Sequence, residues 1–481
     1  MRKTKIVCTL GPATDDPKVL KQLMLEGMNV ARFNFSHGNH EDHLDRLKRV
    51  KAMRAELGLY VATMLDTKGP EIRIGTFKDG PIQLSEGDKF ILTTDACDGT
   101  KEKVSVLYKD FPKDVCEGTR VLFADGLVEM IVDKIDGNQV YLTVLNNGKL
   151  SNNKSINLPD VKISMPFVSE KDRSDIIFGI ENEFDFIALS FTRSKEDVLQ
   201  ARKILEEHGC TSMRIIAKLE NAEGVKNLDE ILEVVDAVMV ARGDMGVEIN
   251  FAEIPRIQKE IVRKCYNSGK PAITATQMLE SMIENPRPTR AEVTDIANAI
   301  YDGTSAIMLS GETAAGKYPI KAVHTMAAIA EATEQNIDYA QLLKERNYGT
   351  NLSVTDAVSH AACVIAMDIG AKAIVTVTKS GSTARSISKY RPSLPIIGCT
   401  DTEKSCRHLA LSWGVTPVLM PSVQSTDELI DISIATSKKE KLLEEGDMVV
   451  VTAGVPVGVS GSTNILKAQV VGKVSLGHLK L

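Results

Sequence analysis

Residues 214–246 bring together the side chains in this sequence best suited to chemistry. Two short apolar runs, 215–219 and 237–241, read as buried strands, and each hands over to polar residues where its hydrophobic character stops. Lys218 and Glu220 are two positions apart, so an extended chain aims both at one face. Asp244 leaves the second run with Gly243 and Gly246 close by, where backbone can approach a ligand. Two carboxylates about 4 Å apart would repel by roughly 4 kcal/mol at an effective dielectric of about 20, so Glu220 and Asp244 together call for a metal ion or a shared proton. Magnesium suits the pair, because it prefers hard oxygens and completes its shell with substrate oxygens and water. Taken singly, each residue has a plainer reading: Lys218 as a stem over apolar surface, Glu220 as a helix cap, Arg242-Gly243-Asp244 as a turn. Together with further clusters of the same kind, the chemical reading gains ground.

Two such clusters precede it. Arg32, Asn34 and Ser36 alternate along the run 29–35, on the face opposite Ala31, Phe33 and Phe35. A third run, 60–65, passes into Asp66, Thr67, Lys68, Glu71 and Arg73, of which Lys68 reads best as part of a solvated loop. The elements that must position these residues alternate strand with helix: runs at 5–10, 29–35 and 60–65, with helices starting near Asp16 and ending at Leu57. From 70 to 166 the rhythm changes to short β-rich runs without a good helix, punctuated by Asp-Gly and Asn-Gly pairs. This insert is bounded by Pro70 and Pro166, as expected of a lid on a hinge. Strand-like runs then resume at 184–191, 214–220, 237–241, 271–276 and 305–310.

Three strands before the insert and five after predict an eight-stranded parallel TIM barrel, whose active sites lie at the C-terminal strand ends. The polar clusters all fall at such ends, as do Thr274 and Thr276 after the seventh strand and Ser310 to Thr313 after the eighth. The fold class is therefore α/β: a (β/α)8 barrel from 1–69 and 167–347, an inserted all-β lid over 70–166, and a C-terminal α/β domain over 348–481. In that last part, a strand at 373–378 runs into Thr378, Ser380, Gly381, Ser382 and Thr383 ahead of a helix, a place where a phosphate would be favoured and where simple capping is the equal alternative. A second, glycine-rich loop at 454–463 could close over a ligand there.

Composition narrows the class. The 481 residues are enough for about three domains on the usual prior of roughly 150 each. With 43% hydrophobic and 25% charged residues, and no apolar run near the ~18 residues of a membrane span, the chain reads as soluble and cytoplasmic, with no membrane partner. Its eight cysteines are scattered without a zinc spacing or C-x-x-C pair, so free thiols are expected. A net charge of -6 argues against a nucleic-acid surface, while leaving room for small anions locally.

Five motifs carry a resemblance: A-R-F-N-F-S-H-G at 31–38, L-D-T-K-G-P-E-I-R at 65–73, A-K-L-E-N at 217–221, A-R-G-D-M-G at 241–246 and A-T-Q-M-L at 275–279. In this order they make the chain resemble the pyruvate kinases over essentially its whole length. The resemblance implies transfer of the phosphoryl group of phosphoenolpyruvate to ADP, giving ATP and pyruvate, with Mg²⁺ and K⁺. By position it implies that Arg32 and Lys218 contact the phosphoryl group, and that Glu220 and Asp244 hold Mg²⁺. Gly243, Asp244 and Thr276 would hold the substrate carboxylate, with Thr276 where a proton reaches the enolate. Asn34, Ser36, Asp66 and Thr67 would bind K⁺, and glutamate at position 71 is the form associated with potassium-requiring members. Arg73 and Lys154 would meet the nucleotide phosphates, although the sequence around Lys154 departs from the glycine-containing family form. It further implies a regulatory C-terminal domain and a homotetramer, and the hydroxyl- and glycine-rich turn at 378–383 points to a phosphorylated allosteric effector there. A barrel aldolase or lyase acting on pyruvate enolate, and a non-catalytic sensor, are the rival readings; ADP-dependent turnover separates them from a kinase.

Overall fold

The computed structural model describes residues 2–159, 161–345, 353–423, 425–456, 461 and 463–472. Eight parallel strands, Lys5–Thr9, Val30–Asn34, Ala62–Asp66, Phe186–Leu189, Arg214–Leu219, Ala237–Ala241, Ala272–Ala275 and Ala306–Leu309, close into one barrel in chain order. The first pairs with the eighth, Lys5 beside Ala306 and Cys8 beside Leu309. These strands are near-continuous apolar runs because both faces are covered. Ile215, Ala217 and Leu219 pack outward in the large core beneath the helices, while Ile216 joins Val7, Met64, Met239 and Met308 in the barrel interior. Lys218 shares the inward parity of Ile216, which is why its ammonium emerges at the C-terminal rim.

Between the third and fourth barrel strands lies a β module with its own core, including Phe90, Phe111 and Phe123, built on a seven-stranded sheet and a two-stranded one. Its first strand, Ile72–Arg73, pairs antiparallel with Ser155–Asn157, so the chain enters and leaves side by side. The expectation of no helix here is corrected by one short turn, Phe111–Asp114, opened by Pro112 and anchored by buried Phe111. Four residues are too few to show a 3.6-residue period.

The C-terminal sheet has five strands in the order Val415–Leu419, Ile396–Thr400, Ala373–Val377, Met448–Gly454 and Thr463–Val470. The last is antiparallel to its neighbour and was not foreseen. The expected domain boundary at 347/348, and residues 457–460 and 462 of the glycine-rich loop, lie outside the described residues. This domain docks on the N-terminal end of the barrel. Asp185, just ahead of the fourth strand and fully buried, accepts from Arg407 Nε at 2.9 Å and the Thr63 N–H at 2.8 Å, and lies 3.3 Å from Lys404 Nζ and 3.7 Å from Arg54 Nη1. His408, on the same docking helix Glu403–Leu409, meets Phe186 edge to face with ring centroids 5.5 Å apart.

Candidate active site

The second, third, fourth and fifth barrel strands deliver a connected set of buried charges. Arg32 donates through Nε to Asp66 Oδ2 at 2.6 Å and through Nη1 to Thr9 Oγ1 at 2.9 Å. Lys218 Nζ lies 3.1 Å from Asp66 Oδ1 and 2.9 Å from Glu220 Oε1, and donates to Ser190 Oγ at 2.7 Å. Burial alone would raise the Asp66 carboxyl, but Arg32 and Lys218 outweigh it and hold it below the usual carboxylate range. Burial likewise opposes the charge on Lys218, and two carboxylates, Asp66 and Glu220, more than restore it, so the ammonium is held well above an ordinary lysine.

Glu220 fares differently. Burial pushes it up to about 7 despite Lys218, and Asp244 adds to the rise. The two ends of this ion pair thus shift in senses that do not match, and the reason is sharing: Lys218 draws on two carboxylates, whereas Glu220 has part of one lysine and a second carboxylate facing it. Glu220 is the undercompensated group. Its Oε2 accepts the Phe191 N–H at 2.6 Å, while buried Oε1 has the Lys218 ammonium 2.9 Å away but no aligned hydrogen bond among the described residues. The capping reading of Glu220 is corrected, because Asn221 caps the following helix Ala222–Lys226 by accepting the Gly224 N–H at 2.7 Å.

At the sixth and seventh strands the backbone turns sharply. Thr276 and Gln277 hold φ values of +69° and +54°, unusual for side chains of this type and worst for a β-branched one. Three contacts hold the turn. Thr276 Oγ1 donates to the Ala275 carbonyl at 2.6 Å and accepts the Gly243 N–H at 2.7 Å, and Arg242 Nη2 donates to the Thr276 carbonyl at 2.7 Å. Arg242 is itself fixed by Asp295 at 2.7 Å. Farther on, buried Glu312 ties the Leu279 and Ser310 N–H groups together at 3.0 and 2.7 Å. Gly243 and Asp244 open the short helix Arg242–Glu248, so the Gly243 amide expected to face a carboxylate is engaged by Thr276 here.

Asn34 stands opposite Asp66 in the strand register, with Ser36 two residues on and its N–H donating to Asn34 Oδ1 at 3.2 Å; Thr67 is buried beside them. Positions 34, 36, 66 and 67 are therefore neighbours at the ends of the second and third strands. Arg73 and Lys154 are also neighbours, since Arg73 pairs with Ser155 in the β module. Arg73 Nε is ion-paired to Glu71 Oε2 at 2.8 Å, and Lys154 is exposed. In the C-terminal domain, Gly381 at φ +82° lets the chain turn into the helix Ser382–Lys389; Ser380 Oγ donates to Ser382 Oγ at 3.4 Å, and Thr463 Oγ1 donates to Thr383 Oγ1 at 2.9 Å. Thr378 Oγ1 is buried without a hydrogen-bond partner among the described residues.

Sequence reasoning missed Ser190 and Phe191. Ser190 Oγ also donates to the Thr67 carbonyl at 2.6 Å, binding the third strand's end to the fourth's. The rule applied to the other strands, that polar residues at a C-terminal end do chemistry, would have found it. Among the described residues no cluster of three or more His, Cys, Asp or Glu side chains could hold a metal. A carboxylate pair such as Glu220 and Asp244 is a small-shell arrangement of the kind magnesium completes with substrate.

The family model described as "Pyruvate kinase, barrel domain" matches residues 1–323, and "Pyruvate kinase, alpha/beta domain" matches 356–469. A pyruvate kinase of Clostridium acetobutylicum is 50% identical over 472 residues, covering 98% of this chain and 100% of that protein. One of Geobacillus stearothermophilus is also 50% identical, over 98% of this chain and 80% of its own length. The crystal structure of a pyruvate kinase from Cryptosporidium parvum superposes with a TM-score of 0.92 at 41% identity, covering 98% of this chain and 96% of that one.

Proposed function

This chain belongs to the pyruvate kinase family and is a phosphotransferase, and from that premise we propose that it moves the phosphoryl group of phosphoenolpyruvate to ADP using the rim residues described above. The observation that carries this reading is the buried chain of charges from Arg32 through Asp66 to Lys218 and Glu220, with Asp244 beside it. Phosphoryl transfer asks a protein mainly to position reactants and neutralise phosphate oxygens. Arg32 and Lys218 supply fixed positive charge in a site too buried for water to screen it. Asp66 and Ser190 hold the Lys218 ammonium in place, and the charge on Lys218 is secure because two carboxylates face it. Thr276, kept in its turn by Gly243 and Arg242, places a hydroxyl where a proton could reach the enolate. The substrate carboxylate would take over the Gly243 amide and meet the first turn of the helix Arg242–Glu248.

Glu220 and Asp244 fit Mg²⁺, because Glu220 is buried, undercompensated and has an oxygen without an aligned donor. When bound by Glu220 and Asp244, the ion would supply charge neutralisation to the phosphoryl group. Asn34, Ser36, Asp66 and Thr67 fit a monovalent ion with an all-oxygen set carrying one carboxylate. Arg73 and Lys154 would meet ADP phosphates, and the module between 70 and 166 would swing over them as a lid. The turn at 378–383, whose Thr378 hydroxyl has no partner among the described residues, would take a phosphorylated activator. A homotetramer in the cytoplasm completes the reading, supported by kinship alone. No helix among the described residues is long and apolar enough to cross a membrane.

The decisive experiment measures pyruvate formation with ADP, Mg²⁺ and K⁺ and with each left out. Turnover should need all three, and release of pyruvate without ADP would point to a lyase instead. For the activator, Thr378→Val with Thr383→Val should abolish stimulation by sugar phosphates without changing the maximal rate; unchanged stimulation would place that site elsewhere.

A further inference from the structure

Away from the catalytic rim, a cleft of about 600 Å³ opens between the barrel and the helix Ser382–Lys389 of the C-terminal domain. The charges lining it do not balance. Its carboxylates already have cations: Glu233 pairs with Lys195 at 2.6 Å, Asp236 with Arg214 at 2.7 Å and Asp356 with Lys389 at 2.8 Å. Three further cations, Arg202, Lys270 and Arg385, are half-buried in its walls, and none has a carboxylate at ion-pair distance among the described residues. They donate instead to main-chain carbonyls, Arg202 to Val234 at 2.6 Å, Lys270 to Leu232 and Arg385 to Ser380 at 3.0 Å. Arg214 donates to the same Ser380 carbonyl at 2.9 Å, so two guanidiniums share one acceptor. Burial and the neighbouring Arg214 outweigh Asp236 and pull Arg385 down to about 9.

Partly buried like charges without counter-ions are costly, and guanidinium forks match phosphate oxygens in geometry as well as charge. We propose that this cleft binds a small phosphate-bearing anion, clasped by Arg202 and Lys270 from the barrel and by Arg385 from the C-terminal domain. The site is distinct from the hydroxyl turn at 378–383: its cations come largely from the barrel, and only Ser382 is common to both. Its position gives it leverage on catalysis. Arg214 opens the strand that ends at Lys218 and Glu220, and Asp236, which accepts the Ile215 N–H at 2.9 Å, precedes the strand that leads to Gly243 and Asp244. An anion in the cleft fastens the C-terminal domain to the feet of both strands.

The test is equilibrium dialysis of the full chain against labelled inorganic phosphate at fixed ionic strength. It compares the wild type, Arg202→Gln with Lys270→Gln, Arg202→Lys with Lys270→Arg, and Thr378→Val with Thr383→Val. Phosphate held at the catalytic rim is common to all four proteins. The glutamine pair should bind one phosphate fewer per chain, while the charge-conserving pair and the valine pair keep it. Ser386→Glu, which adds a carboxylate to the cleft wall and removes no charge, should lose the same phosphate, and it serves should the glutamine pair fail to fold. Equal binding by wild type and the variants that alter the cleft's charge overturns the proposal. So does loss confined to the valine pair, which would assign the phosphate to the hydroxyl turn.

Discussion

At the scale of single residues, Lys218 tests the mechanism most directly. Its charge is held by Asp66, Glu220 and Ser190, and the role proposed for it is to meet the phosphoryl group rather than the enolate carbon. Lys218→Met keeps most of the stem and removes the charge; the rate should fall on the order of 10² to 10⁵. Exchange of pyruvate methyl protons with solvent, read by NMR, should survive in part because Thr276 is untouched. A change in substrate affinity alone, with turnover intact, would refute the assignment. Glu71 offers a second test. It is paired with Arg73, so Glu71→Lys both replaces the carboxylate that the family resemblance links to potassium dependence and frees Arg73. Activity titrated with KCl should become less dependent on K⁺, with a higher KM for ADP if Arg73 meets the nucleotide. Much of this site was legible in the sequence, because residues two apart on a strand share a face whatever surrounds them: Lys218 with Glu220, and Arg32 with Asn34. Ser190 could be flagged by its place after an apolar run, but not its role, which comes from a lysine 28 positions away that only the barrel brings near.

At the scale of elements, the docking helix Glu403–Leu409 carries a pH dependence. Burial, reinforced by Arg214, brings His408 down to about 3 from an unfolded value of 6.5. Between those values the unfolded chain takes up a proton that the folded chain refuses, so stability is lost as pH falls below about 6.5. The slope from this one group is at most about 1.4 kcal/mol per pH unit. Urea midpoints at pH 7 and pH 5 should therefore converge in His408→Phe relative to the wild type; an unchanged gap would mean the histidine is protonated in the fold. The eight barrel strands were foreseen because a strand covered on both faces must be a short unbroken apolar run. The strand Thr463–Val470 escaped notice for the opposite reason: it is an edge, mostly half-exposed, carrying Asn464, Lys467 and Gln469, so it has no apolar run to recognise.

At the scale of the whole molecule, one of the bonds that join the β module to the rim is Asn157 Nδ2 to Glu248 Oε1 at 2.9 Å, on the helix that begins at Arg242. Asn157→Ala should raise the KM for ADP a few-fold and leave thermal stability unchanged within about 0.5 kcal/mol, as for a substitution that removes one half-exposed contact. Equal KM values would show that the module closes without this latch. The way the barrel is sealed has a consequence for how the chain is made. Its first strand has to wait for residue 306, its partner in the closing seam, which at roughly 5–20 residues per second is on the order of half a minute of synthesis. The β module needs no such wait, because Ile72–Arg73 finds Ser155–Asn157 as soon as residue 157 has left the ribosome. Each new molecule therefore passes through a stage in which the module is finished while three parallel strands upstream of it stand open. Over that interval the chain presents unpaired strand edges that the closed barrel later covers, the kind of surface through which nascent chains aggregate.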